Sequence, residues 1–168
     1  MKTALFVGRF QPIHKAHLKV IKKIISEGHK LLIGIGRAQE SKTALNPFTK
    51  EERKEMIERV LKAEGITNYK IVFIPDKKKD DDWIEHAEKI CGKFDPIYSG
   101  NPETKHVFQK TKHKIVDVKL VKGISSTLIR KKIVEGKEWK KLVHQKVYDY
   151  VVNKYGIEKL KKIIQKSS

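Results

Sequence analysis

Ala4-Leu5-Phe6-Val7-Gly8-Arg9-Phe10-Gln11-Pro12-Ile13-His14-Lys15-Ala16-His17-Leu18 is the stretch on which the fold turns. Its first four residues are apolar without the polar alternation of a half-exposed strand, so they predict a strand buried on both faces of a parallel sheet. A helix is expected to start near His14 and to turn Leu18, Ile21 and Ile25 inward. Gly28 stands where a left-handed cap would end it. Strand, glycine-bearing turn and helix in that order open a βαβ unit. Four more short apolar runs follow, at residues 31–35, 71–74, 97–98 and 115–121, each separated by enough chain for a crossover helix. The expectation is an α/β domain with a five-stranded parallel sheet and helices on both faces.

Between the runs, the helix signals are local. Thr49 and Glu52 form a T-x-x-E capping box, followed by Met56, Ile57, Val60 and Leu61 at inward spacing until Gly65. A third helix is expected after Asp80-Asp81-Asp82, where carboxylates favour the positive end of the helix dipole. Beyond the last run the chain reads as helical from about residue 126 to Gly136, then from Trp139 to the end with a break at Gly156. A chain of 168 residues suits one core. The expected organisation is a single domain over residues 1–168, with an α/β core to about residue 122 and C-terminal helices from about 123.

No run approaches the roughly 20 apolar residues that cross a bilayer, and the N-terminus enters a strand pattern directly. A soluble cytoplasmic protein without membrane partners is expected. Cys91 is the only cysteine, lies in an apolar helical stretch, and reads as buried filler rather than a disulfide or metal ligand.

The net charge of +18 raises nucleic-acid binding as a non-enzymatic alternative. Against it, the excess is nearly all lysine interleaved with acids, as in Lys50-Glu51-Glu52-Arg53-Lys54-Glu55, instead of a basic stripe mixed with aromatics. Lysine and glutamate enrichment is also the pattern of proteins from hot environments. No nucleic-acid partner is therefore expected. In this background the five arginines, at 9, 37, 53, 59 and 130, are informative, because a guanidinium grips phosphate oxygens with a fork that an ammonium lacks.

Ligands of open parallel sheets bind beyond the carboxyl ends of the strands, where strand order reverses. After the first strand, Gly8 lets backbone amides approach a phosphate, and the helix N-terminus that follows offers unpaired N–H groups. His14 and His17, three apart, project from one side of the first turn. A helix N-terminus lowers histidine pKa, so neutral imidazoles there can donate hydrogen bonds to phosphate oxygens. The plainer reading is a capping or half-exposed pair. A zinc site fits less well, because no third ligand lies at suitable spacing. The second cluster is Gly123-Ile124-Ser125-Ser126-Thr127-Leu128-Ile129-Arg130. Its hydroxyls could simply cap a helix, while its place after the fifth run lets Arg130 reach the same triphosphate.

Together, G-R-F-Q-P-x-H-x-x-H after the first strand and I-S-S-T-x-I-R before a late helix resemble the archaeal-type nicotinamide-nucleotide adenylyltransferases, of the nucleotidyltransferase superfamily with a Rossmann-like fold. Pro47-Phe48-Thr49 with Glu52-Arg53, Trp83, and Tyr98-Ser99-Gly100-Asn101-Pro102 match that family in order. The histidine pair alone marks only the superfamily. Arg9-Phe10-Gln11 is more specific, because cytidylyl and pantetheine-phosphate enzymes usually carry Thr-Phe-Asp or similar there.

The resemblance implies synthesis of NAD and pyrophosphate from ATP and nicotinamide mononucleotide, with Mg2+ or a similar divalent cation accompanying ATP. It implies that His14, His17 and Arg130 contact the ATP phosphates, that Gly8, Arg9 and Phe10 line the ATP site, and that Ser125, Ser126 and Thr127 hold its ATP side. Trp83 would stack on the nicotinamide ring and Asn101 would hold the nucleotide region. Composition alone makes Trp83 a half-buried packing residue. A homo-oligomer is also implied, with a hexamer as one arrangement. The enzyme alternative is transfer to phosphopantetheine, FMN or glycerol phosphate on the same scaffold. Ala16 departs from the glycine usual between the histidines, and Leu45 stands where some relatives place an arginine. Lys42 is the nearby cation that could compensate.

Overall fold

A computed structural model describes residues 1–76, 80–118 and 121–166, with backbone alone for residues 80–83. The chain forms two compact units that interleave in sequence: residues 1–9, 19–38 and 68–120 make the first, and residues 10–18, 39–67 and 121–168 the second.

The first unit holds the sheet. Strands β1 (Thr3–Gly8), β2 (Lys30–Gly36), β3 (Tyr69–Ile74), β4 (Ile97–Ser99) and β5 (Ile115–Asp117) are all parallel, in the order β3-β2-β1-β4-β5. The apolar runs become strands, and the three inner ones, β2, β1 and β4, are buried on both faces as expected, whereas the edge strands β3 and β5 are only partly buried. Leu5, Val7, Leu32, Val72, Ile74 and Ile97 pack with Ala87, Cys91, Phe94 and Phe108 in one cluster. Their neighbours of opposite parity, Ala4, Phe6, Leu31, Ile33 and Ile35, are buried as well. Two helices contribute to that cluster: α3 (Asp80–Cys91) and α4 (Pro102–Phe108). Burial of the Cys91 thiol pushes its pKa up to about 11, which keeps it protonated filler.

Helix α1 (Lys15–Ser26) ends as its sequence requires. Gly28 takes φ +85°, its N–H donates to the Ile25 carbonyl, and the His29 N–H donates to that of Ile24. These are the two reversed bonds that close a helix through a left-handed residue, and only glycine takes that conformation at no steric cost. Ile21 is buried as expected, but Ile25 is 37 % exposed and Ile24 is the fully buried residue. The apolar face is thus turned by one position from the i, i+3, i+4 reading.

In the second unit, α2 (Lys50–Ala63) starts with both halves of the capping box: the Thr49 hydroxyl accepts from the Glu52 N–H at 3.1 Å, and the Glu52 carboxylate accepts from the Thr49 N–H at 2.8 Å. Met56, Ile57, Val60 and Leu61 are buried, as is Arg53, whose guanidinium donates to the main-chain carbonyls of Thr49 and Glu40. The C-terminal segment forms α5 (Ser126–Val134), a 3-10 turn (Lys140–Leu142), α6 (Gln145–Asp149), one π-helical stretch (Tyr150–Tyr155) and α7 (Ile157–Lys166). The break expected at Gly156 is present, with φ +106°.

Two expected boundaries move, and one helix appears that the pattern did not announce. The fifth run, expected over 115–121, is a strand only over Ile115–Asp117, and residues 119–120 lie outside the described residues. Helix α3 begins within the aspartate run instead of after it. α4 is a helix of seven residues with no apolar periodicity to announce it.

Candidate active site

In the sheet, order reverses between β1 and β4, whose paired residues are Leu5↔Ile97 and Phe6↔Tyr98. Gly8 ends β1, followed by Arg9. Ser99 ends β4, followed by Asn101, so these candidates flank the position where such sheets take ligands. Asn101 has a local task there: its Oδ1 accepts from the Glu103 N–H at 2.8 Å and caps α4. Trp83 lies in α3, but its side chain is outside the described residues.

The second unit gathers the remaining candidates around the loop that leads into α1. Phe10 takes φ +53°, a left-handed backbone that costs a bulky residue about 1–3 kcal/mol and persists only where its surroundings hold it. Its ring is buried and lies 4.7 Å, centroid to centroid, from the ring of His17. His14 and His17 are stacked, with centroids 3.7 Å apart and planes 20° from parallel. The His14 N–H donates to Nδ1 of His17 at 3.1 Å, the reach-back half of a capping box made by imidazole. Capping and catalytic roles are therefore compatible in one ring. A neutral imidazole that accepts at Nδ1 carries its proton on Nε2, where it is a donor.

Both rings are neutral at physiological pH. Burial holds the His14 pKa down to about 4. His17 is driven well below 6.5 by burial and then by the neighbouring His14. The direction agrees with the sequence expectation, but the main cause is desolvation instead of the helix terminus. Nδ1 of His14 is buried without a hydrogen-bond partner, an arrangement that costs stability unless a ligand or water supplies the missing bond.

Helix α5 grips the same loop. Arg130 is buried, and its Nη1 donates to the Gln11 carbonyl at 2.8 Å while Nη2 donates to the Thr127 hydroxyl at 3.4 Å. The Ser126 hydroxyl donates to the Pro12 carbonyl at 2.9 Å. The Ser125 hydroxyl caps the helix, accepting from the Leu128 N–H at 3.1 Å. The two distant motifs thus meet: Phe10, His14, His17, Ser126, Thr127 and Arg130 belong to one connected cluster, with Ser125 at its edge. The first turn of α5 carries no acidic residue, so nothing there opposes an anion at its N-terminus.

A family profile described as cytidylyltransferase-like matches residues 5–132. The chain belongs to the cytidylyltransferase-like family. Within it, the chain is similar to the nicotinamide-nucleotide adenylyltransferase of Thermoplasma acidophilum, 38 % identical over 164 residues that cover 96 % of this chain and 92 % of that one. The protein of that name from Pyrococcus furiosus is 36 % identical over 166 residues, covering 96 % and 88 %. In fold, the chain resembles a bifunctional NMN adenylyltransferase/ADP ribose pyrophosphatase from Francisella tularensis, with TM-score 0.78 at 22 % identity. The match covers 98 % of this chain and 53 % of that chain, so this chain spans about half of it.

Leu45 is 60 % exposed. Lys42, three residues earlier, has its ammonium 3.5 Å from the Glu52 carboxylate and 3.3 Å from the Tyr155 hydroxyl. It is engaged in holding the loop before α2 to the π-helical stretch. Sequence reasoning missed that link, as it missed the burial of Arg53 and the side-chain contacts of Gln11. Only the rarity of arginine and the place of Gln11 inside the motif hinted at either.

Proposed function

We propose that the chain is an adenylyltransferase that makes NAD and pyrophosphate from ATP and nicotinamide mononucleotide. The observation that carries this reading is the stacked, neutral His14–His17 pair in a loop bonded to Arg130. The names of the relatives, at 38 % and 36 % identity over nearly the whole chain, support the choice of acceptor.

The reaction is in-line attack of the mononucleotide phosphate oxygen on the α-phosphorus of ATP. The new bond joins that oxygen to the α-phosphorus, and the bond to the β-phosphate oxygen breaks, with its electrons leaving on pyrophosphate. The nucleophile is already ionised at neutral pH, so no general base is required. Catalysis rests on alignment and on neutralising charge at the departing oxygens. Nε2–H of His17 donates to a phosphate oxygen, and the donation strengthens as charge grows there. His14 turns its ring to the same phosphates, and Arg130 offers its fork. Gly8, Arg9, Phe10, Ser125, Ser126 and Thr127 are the ATP-binding residues of this reading, and Asn101 and Trp83 those for the second nucleotide.

Among the described residues, no three His, Cys, Asp or Glu side chains group as a metal site. The divalent cation, Mg2+ or a similar ion, accompanies ATP, held by phosphate oxygens and water. A related fold from Francisella tularensis is described as complexed with AMP and a manganese ion, which supports cation use without choosing the ion. The proposed protein works in the cytoplasm, where ATP is available, as a homo-oligomer whose size sedimentation would read.

Pyrophosphate release with ATP and each of nicotinamide mononucleotide, phosphopantetheine, FMN and glycerol phosphate tests the acceptor. The expected result is turnover with the first alone. Preference for another acceptor would reassign the substrate, and salt-sensitive nucleic-acid binding without any turnover would reinstate the non-enzymatic reading. Trp83→Ala should raise KM for nicotinamide mononucleotide much more than KM for ATP. Equal changes would return Trp83 to packing.

A further inference from the structure

Gln11 stands in the middle of the histidine motif, and its side chain is 1 % exposed. The amide meets the main chain of Phe48 at both ends. Nε2 donates to the Phe48 carbonyl at 3.0 Å, and Oε1 accepts from the Phe48 N–H at 2.9 Å. Two bonds exchanged with one residue's backbone are what facing residues make in an antiparallel ladder. Among side chains of this length, only an amide offers a donor and an acceptor side by side. The two residues are 37 positions apart, so the contact ties separate segments of the second unit.

Both partners of this bridge are held from elsewhere. Phe48 is fully buried, its ring lies 5.0 Å from that of Tyr155, and it precedes Thr49, the cap of α2. The main chain at Gln11 and Pro12 is bonded to Arg130 and Ser126 of α5. The loop carrying the histidines is therefore gripped from two sides: through the Gln11 side chain by the segment that starts α2, and through its carbonyls by α5. Loss of either grip removes one of these two holds on the start of α1, and misplacement of catalytic groups by about 1 Å can cost about a hundredfold in rate.

We infer that Gln11 is a positioning residue for the reaction, acting through His17 by locking the histidine loop to the start of α2. The inference rests on the adenylyltransferase reading. Gln11 itself touches no substrate. Its task explains why an amide with two carbons beyond Cα belongs here, where a shorter acid could not span to Phe48 and would set a second acceptor against the Phe48 carbonyl.

The test is a double-mutant cycle. Gln11→Met keeps length and apolar contact but removes both bonds; Gln11→Glu keeps the shape and the acceptor but removes the donor. Each is made alone and with His17→Ala, and kcat, both KM values and melting are measured. In the wild-type background, kcat should fall about tenfold to a hundredfold, with both KM values within about threefold. In the His17→Ala background the same change should alter kcat by less than about threefold, because the alignment it serves is already gone. Equal losses in both backgrounds, or unchanged kcat in folded variants, would overturn the inference while the wild-type enzyme remains active. A wild-type protein that makes no NAD would sink the functional reading first. If Gln11→Met does not fold, Gln11→Glu carries the cycle. As a readout independent of turnover, the 15N shifts of His17 should move in that variant, and unmoved shifts would refute the link.

Discussion

Arg130→Lys separates geometry from charge at the point where the two motifs meet. Arg130 is 8 % exposed, with one guanidinium nitrogen 2.8 Å from the Gln11 carbonyl and another 3.4 Å from the Thr127 hydroxyl. A lysine keeps the positive charge, but one ammonium on a flexible stem cannot hold the loop and present a fork to phosphate together. Losing one charge-assisted bond in the transition state costs about 1.5 to 3 kcal/mol, so kcat should fall about tenfold to a hundredfold. From the sequence alone, Arg130→Lys is expected to leave stability almost unchanged. The structure revises that, because the same side chain bonds a buried carbonyl whose partner would be weakened. A loss of about 1 to 2 kcal/mol lowers Tm by about 2 to 8 °C in a chain of this size. Steady-state kinetics beside a melting curve decides the matter. Wild-type turnover in Arg130→Lys would refute a phosphate fork, and wild-type turnover with a lowered Tm would assign the residue to the loop alone.

His17→Ala should lower kcat by about a hundredfold or more, the scale for removing one preorganised donor, with the fold retained; near-normal turnover in a kinetic assay would end the phosphate-donor role. The buried His14 makes stability depend on pH in a defined sense. Its folded pKa of about 4 lies below the ordinary 6.5, so the unfolded chain takes the proton first. Its stabilising contribution is complete above pH 6.5 and is lost as pH falls toward about 4, to a total on the order of 3 kcal/mol. Denaturant unfolding from pH 7 to 4 should show that slope, and His14→Asn should flatten it; an identical slope in the variant would contradict the burial argument. Gly28→Ala forces a side chain into φ +85° at the end of α1, and should cost about 1 kcal/mol, or about 2–4 °C in Tm, with kcat unchanged.

The sheet was legible because its inner strands, covered on both faces, leave continuous apolar runs, and each of the five runs holds a strand. Capping chemistry was legible for the same local reason: Thr49 and Glu52 are three apart, and the bonds they make need nothing distant. The histidine pair was legible as two rings on one side of a turn. What the spacing could not reveal was the stacking, or that burial sets their charge state. Most side-chain contacts between remote positions were hidden. The Gln11 bridge to Phe48, the bond from Lys42 to Tyr155 and the burial of Arg53 depend on how segments pack, and no periodicity encodes them. Helix α4 escaped because seven residues carry no repeat, and only Asn101-Pro102 marks its start. Ile24 displaced Ile25 because the buried face also takes Val20: at about 100° per residue, Val20, Ile24 and Ile21 fall in one arc and Ile25 falls outside it.

The most direct measurement uses ATP labelled at the α-phosphate, with Mg2+, nicotinamide mononucleotide and the purified protein. In-line attack at the α-phosphorus predicts that the label passes into NAD, one for each pyrophosphate released, and that turnover collapses in His17→Ala. Label left in free AMP, or pyrophosphate released without labelled NAD, would contradict adenylyl transfer to the mononucleotide.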